Sequence, residues 1–116
     1  MTILREEIFV EKRRYRRVAY QEAIHYQFPE RTKFGGCLSK DISIGGIQLN
    51  FNDFVPVNTD LTVSVKIKDI PKIIDVSGRV VWVKQVPYSD RYKLGLEFTN
   101  TKPFTVESIH SYVVSH

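Results

Sequence analysis

At 116 residues, with 17 Lys and Arg against 13 Asp and Glu, the chain is long enough for one compact domain and too short for two ordinary ones. Its 42% hydrophobic content, with seven Phe and six Tyr, excludes general disorder and supplies bulky material for a small core. A formal charge of +4 argues against a surface that coats nucleic acid throughout, a single cysteine excludes an intrachain disulfide, and no apolar run is long enough for a membrane helix.

Charged residues arrive at Arg5, Glu6 and Glu7, before any apolar run of signal-peptide length, so the expected compartment is the cytoplasm. Five of the six residues in Lys12-Arg13-Arg14-Tyr15-Arg16-Arg17 are basic, which points to a localised anionic partner. Residues 1–12 are expected to form an arm and residues 13–116 the folded domain, with a barrel over 18–99 and a helix over 103–115. From Val18 the apolar residues alternate through Tyr20, Ile24, Tyr26 and Phe28, which predicts a half-buried strand. Pro29 and the polar stretch 30–33 end it, Phe34 to Ser39 starts a returning strand, and Gly35-Gly36 reads as a turn or bulge. Ile47, Leu49 and Phe51 alternate after Gly45-Gly46. Leu61 to Ile67, Ile74 to Trp82 and Leu94 to Phe98 repeat the pattern between turns such as Asn52-Asp53 and Pro87-Tyr88-Ser89-Asp90. Trp82, in phase with Val76 and Val80, is expected in the core.

Strands of this number and length bury one face each and lose their edges by curling into a barrel. After Phe98 the period changes: Pro103 opens a helix, and Val106, Ile109 and Val113 fall about one turn apart. The fold class is all-β, an antiparallel barrel of five or six strands with a C-terminal helix.

Two segments carry the chemistry. Arg13 and Arg17 offer planar cationic forks, and Asp41-Ile42-Ser43-Ile44-Gly45-Gly46 offers a carboxylate, a hydroxyl and two positions without side chains. An Arg fork matches guanine O6 and N7, or a phosphate, with paired N–H groups. A carboxylate accepts from guanine N1–H and N2–H, and a serine hydroxyl can donate to phosphate. Taken in order, the segments resemble R-x-x-x-R and D-x-S-x-x-G, the two signatures of the PilZ domain, a family of bacterial cyclic di-GMP receptors. Gly78-Arg79-Val80-Val81-Trp82-Val83 and Tyr92-Lys93-Leu94-Gly95-Leu96-Glu97-Phe98 resemble its later strands, so the likeness runs from about Glu11 to Phe98. Lys12 stands where many members have Arg, which keeps the charge but loses the fork and bears on how many ligands bind.

The resemblance implies a six-stranded split barrel with a flexible basic N-terminal arm. It assigns cyclic di-GMP to Arg13, Arg17, Asp41, Ser43 and Gly46, supported by Lys12, Arg14 and Gly45, the glycines taking positive φ and letting backbone approach the ligand. It implies a receptor rather than an enzyme. Ligand would order the arm over the Asp41–Gly46 strand and create a surface for a downstream protein, altering motility, adhesion or exopolysaccharide production. Asp53, Asp69, Asp75 and Glu97 fall in separate elements, Cys37 lacks a nucleophile's setting, and His25, His110 and His116 lack ligand spacing, so no catalysis, metal, cofactor, membrane insertion or nucleic-acid partner is expected. The alternatives are a PilZ-fold adaptor with little affinity for the dinucleotide, and a small barrel that binds RNA or single-stranded DNA through the basic arm.

Overall fold

Alternation of apolar and polar residues is what makes these segments strands, and their inward faces make one core. The computed structural model describes residues 16–30, 33–67 and 72–116. Among them are β1 (Val18–Ala19), β2 (Ala23–Gln27), β3 (Phe34–Ser43), β4 (Gly46–Phe51), β5 (Asp60–Lys66), β6 (Ile73–Gln85), β7 (Tyr92–Phe98) and helix α1 (Pro103–Ser115). Every pairing is antiparallel, and the order β3-β2-β5-β6-β7-β4 closes on itself because β4 also pairs with β3. The result is the expected six-strand barrel. Its interior is filled by Ile24, Ile42, Ile47, Leu49, Val63, Val65, Val80, Leu94 and Leu96, all buried. Pro103 starts α1, and Ile109 and Val113 bury against the barrel, while Val106 is only half-buried.

The strand expected from Val18 to Phe28 is two strands laid end to end along β3. β1 pairs Val18 with Ile42 and Ala19 with Asp41, and β2 pairs Ala23 to Gln27 with Leu38 to Phe34. Strict alternation would turn Glu22 into the core, and the chain avoids burying that carboxylate by leaving Gln21, Glu22 and Ala23 all exposed. Ser39 holds the break: its buried hydroxyl donates to the Tyr20 carbonyl and accepts from Glu22 N–H at 3.0 Å. β3 itself bulges between Ser39 and Asp41, not at Gly35-Gly36, which run inside the strand opposite Tyr26 and His25. A Cβ on Gly35 would come within 2.8 Å of the Tyr26 hydroxyl, so the glycine makes room for that ring.

Tyr20, just past β1, fastens this seam to the far side of the barrel. Its hydroxyl donates to Lys66 C=O at 2.7 Å and accepts Lys66 N–H at 3.0 Å, and the side chain is only 2% exposed. Burial pushes its phenol from 10.0 up to about 12, so the neutral form is favoured in the folded state. Stability from this group is complete below pH 10 and is lost as pH rises from 10 to about 12. Tyr20→Phe is expected to lower stability by roughly 1–3 kcal/mol, because both Lys66 backbone groups lose their partner. Urea unfolding at pH 7 and pH 11 checks both statements: the mutational loss should shrink at the higher pH.

Candidate functional site

The bulge in β3 sets Asp41 and Ser43 on the outer wall, with Ile42 between them facing the core. Arg17, one residue before β1, lies beside them because β1 pairs with that stretch of β3. Arg17 Nε donates to Asp41 Oδ1 at 2.8 Å, and Nη1 reaches Ser43 Oγ at 3.3 Å. One guanidinium thus spans both polar side chains of the second signature. The pair is partly open, with the Arg17 side chain 46% and that of Asp41 21% exposed.

Ser43 is 1% exposed, and its hydroxyl also serves the turn into β4. It accepts Gly45 N–H at 3.2 Å and donates toward Gly46 C=O at 3.4 Å, a long bond. The positive φ expected of the two glycines is absent. Gly46 is required for a different reason: it is buried opposite Glu97, and a Cβ there would collide with the Leu96 carbonyl oxygen of β7. The missing side chain lets two strands approach. Arg17, Asp41, Ser43, Gly45 and Gly46 therefore come together; Arg13, Lys12 and Arg14 lie outside the described residues, as does Tyr15.

The register extends the site across the wall. Ala19, Asp41, Gln48, Gly95 and Trp82 stand directly opposite one another on β1, β3, β4, β7 and β6. Trp82 is not in the core. A bulge between Val80 and Trp82 shifts the phase of β6, so the indole turns outward and is 40% exposed. It lies across Gly95, where a Cβ would overlap the indole ring. From Asp41 to Trp82 is three strand spacings, about 14 Å along the sheet. Lys84 and Lys93, directly opposite each other in the neighbouring row, are unpaired with any carboxylate among the described residues. The four consecutive apolar residues Val80-Val81-Trp82-Val83 break strict alternation, and that was the available sign of a bulge.

The PilZ domain profile matches residues 11–115. The chain belongs to the PilZ domain family. Among solved structures, this PilZ domain is similar to the Bacillus subtilis inhibitor of motility MotI/DgrA, at 19% identity and TM-score 0.73 over 87% of this chain and 49% of that one. It is similar to the PilZ domain of YcgR from Escherichia coli, solved with c-di-GMP, at 12% identity and TM-score 0.68 over 90% of each chain. The K. pneumonia MrkH–c-di-GMP complex matches at 15% identity and TM-score 0.66, over 88% of this chain and 51% of that one. The chain therefore spans about half the length of MotI/DgrA and MrkH. At these identities the likenesses establish the fold. No curated protein matches by sequence.

Among the described residues, no three His, Cys, Asp or Glu side chains gather as metal ligands, and no helix is long and apolar enough to cross a membrane. Cys37 is half-buried, and desolvation raises its thiol from 9.0 to about 12, opposite to what a nucleophile needs.

Proposed function

We propose that this PilZ domain is a cytoplasmic receptor for cyclic di-GMP, holding the dinucleotide between the Arg13–Arg17 signature, supported by Lys12 and Arg14, and the Asp41–Gly46 strand. The observation that carries the reading is the single Arg17 fork resting on both Asp41 and Ser43. These are the groups that guanine and phosphate would engage, and in the free protein they engage each other. A partly exposed ion pair is worth about 0–1 kcal/mol, whereas a bidentate arginine–guanine contact contributes roughly 1–3 kcal/mol. The Arg17–Asp41 pair is therefore a small obstacle to a guanine that takes the fork. Ser43 can serve a phosphate by turning its one hydroxyl proton away from the long Gly46 C=O contact once the fork has uncovered it.

Trp82 adds an aromatic face at the other end of the same row. Stacking of a base on it is worth roughly 1–3 kcal/mol, so Trp82→Ala is expected to raise the Kd by about fivefold or more with little change in thermal stability. Calorimetric titration of both proteins, with melting curves alongside, checks this. Lys84 and Lys93 keep that end of the wall positive for the phosphodiester ring.

Ligand bridging the arm to the shelf would order residues 8–17 and create a surface for a downstream protein. That ordering is the signal on this reading. Amide hydrogen exchange across residues 8–17 should slow on saturation with cyclic di-GMP; unchanged exchange would remove the mechanism. Calorimetry with the dinucleotide tests the receptor reading itself. Absence of heat at large excess would favour an adaptor acting through protein partners alone. Tight binding of single-stranded nucleic acid with a steep salt dependence, unaffected by Asp41→Ala, would favour the nucleic-acid barrel.

A further inference from the structure

The groove of about 400 Å³ between β6 and the start of α1 is lined by none of the signature residues that are described; Ile73, Asp75, Asn100, Lys102 and Phe104 are among those that form it. We propose that it receives an extended peptide segment of a partner protein, added as a strand to the open edge of β6 and carrying an acidic residue next to an apolar one.

Among the described residues the edge is open because β7 is shorter than β6. Pairing between them runs only from Gln85 back to Gly78, and the last bond is Thr99 N–H to Ser77 C=O at 2.8 Å. Asn100 then takes a left-handed conformation, φ 50°, and the chain leaves β6 toward Pro103. The phase of the ladder fixes what is left over. Val80 bonds Thr59 and Asn58 on the β5 side, so Gly78, Val76 and Ile74 also point that way. Ser77 points to the opposite side, and so do Asp75 and Ile73. Among the described residues, the N–H and C=O groups of Ile73 and Asp75 have no backbone partner. Two donors and two acceptors at alternate positions match one extended segment.

The walls specify its side chains. Ile73 is 62% and Phe104 53% exposed, giving apolar lips on either side of the groove. Lys72 and Lys102 carry the positive charge at the rim, and Lys72 Nζ sits 5.9 Å from the Phe104 ring centre. Among the described residues the one lining carboxylate, Asp75, accepts from Ser64 Oγ at 2.7 Å across β5. The rim is thus complementary to a carboxylate on the incoming strand. Edge strands usually carry lysine or are covered, to prevent such pairing; here Lys72 and Lys102 stand at the rim, while Ile73 and Phe104 stay exposed beside the free groups.

The test is panning of a phage-displayed library of random peptides on the whole purified protein, followed by titration of the enriched peptides. Sequences alternating apolar and acidic residues are expected. They should slow exchange of the Ile73 and Asp75 amides, and Ile73→Pro should weaken them at least about fivefold by removing a donor. Proline is tolerated where the N–H faces away from the ladder, so that variant should melt within a few degrees of the parent. Lys72→Glu with Lys102→Glu leaves the ladder intact and should turn the preference to basic peptides. Enrichment of no peptide, or of peptides that bind Ile73→Pro equally, would overturn the proposal. So would an edge-to-edge dimer in sedimentation, abolished by Ile73→Pro, since the occupant would then be a second copy. None of these readouts depends on cyclic di-GMP.

Discussion

Gly46→Ala is expected to unfold the domain at markedly lower temperature, with a loss of about 3 kcal/mol or more and a fall in Tm of roughly 10–20 °C. The added methyl meets the Leu96 carbonyl, which belongs to the neighbouring backbone and cannot rotate away as a side chain would. Relief requires β4 and β7 to separate at the Gly46–Glu97 pair, where the barrel wall is closed. Against a total stability of about 5–15 kcal/mol that is a large fraction. Thermal melting monitored by circular dichroism gives the answer without ligand. A variant that melts with the parent and loses only dinucleotide affinity would return Gly46 to the role of admitting the ligand's backbone contact.

Arg17→Ala and Asp41→Ala should behave in the opposite manner. Each is expected to weaken cyclic di-GMP by at least about tenfold, the worth of one bidentate contact. Each should change stability by no more than about 1 kcal/mol, because their mutual pair is partly exposed. Arg17→Lys should recover little, since the ammonium keeps the charge and loses the fork that spans Asp41 and Ser43. The two single variants share one interaction in the free protein, so their effects on binding should be less than additive in the double variant. Calorimetry of the four proteins against the dinucleotide decides it. Wild-type affinity in Asp41→Ala would detach the acidic residue from guanine recognition.

These two outcomes separate what the signature does for the fold from what it offers a ligand. The letters of D-x-S-x-x-G do not divide cleanly between the two. Asp41 is a half-buried carboxylate held, among the described residues, by the Arg17 side chain. Gly46 is part of the wall. Ser43 does both, anchoring the turn through Gly45 and Gly46 while meeting the arginine.

Alternation made the barrel readable wherever a strand keeps one dry face along its length, as in Leu61 to Val65 or Leu94 to Phe98. It failed where a partner distant in sequence decides the local phase. Glu22 stays out of the core because Ser39 fills the gap left in β1–β2, and nothing near Glu22 announces a serine on the next strand. Trp82 leaves the core because β6 bulges and Gly95 leaves room for the ring. The resemblance named Arg17, Asp41 and Ser43, which the fold brings together, but it did not say that the arginine would already rest on the other two. Gly46 was legible as a glycine with a purpose, while that purpose belongs to Leu96, on a strand far along the chain.

The seam between β1 and β2 has a mechanical consequence. Arg17 rides on a ribbon fastened to the wall by two residue pairs, and the hoop of six strands is complete without it. With Val18 and Tyr20 rooted in the interior, only the guanidinium at the ribbon's tip is loose enough to swing, so it can leave Asp41 with every stave of the cask in place.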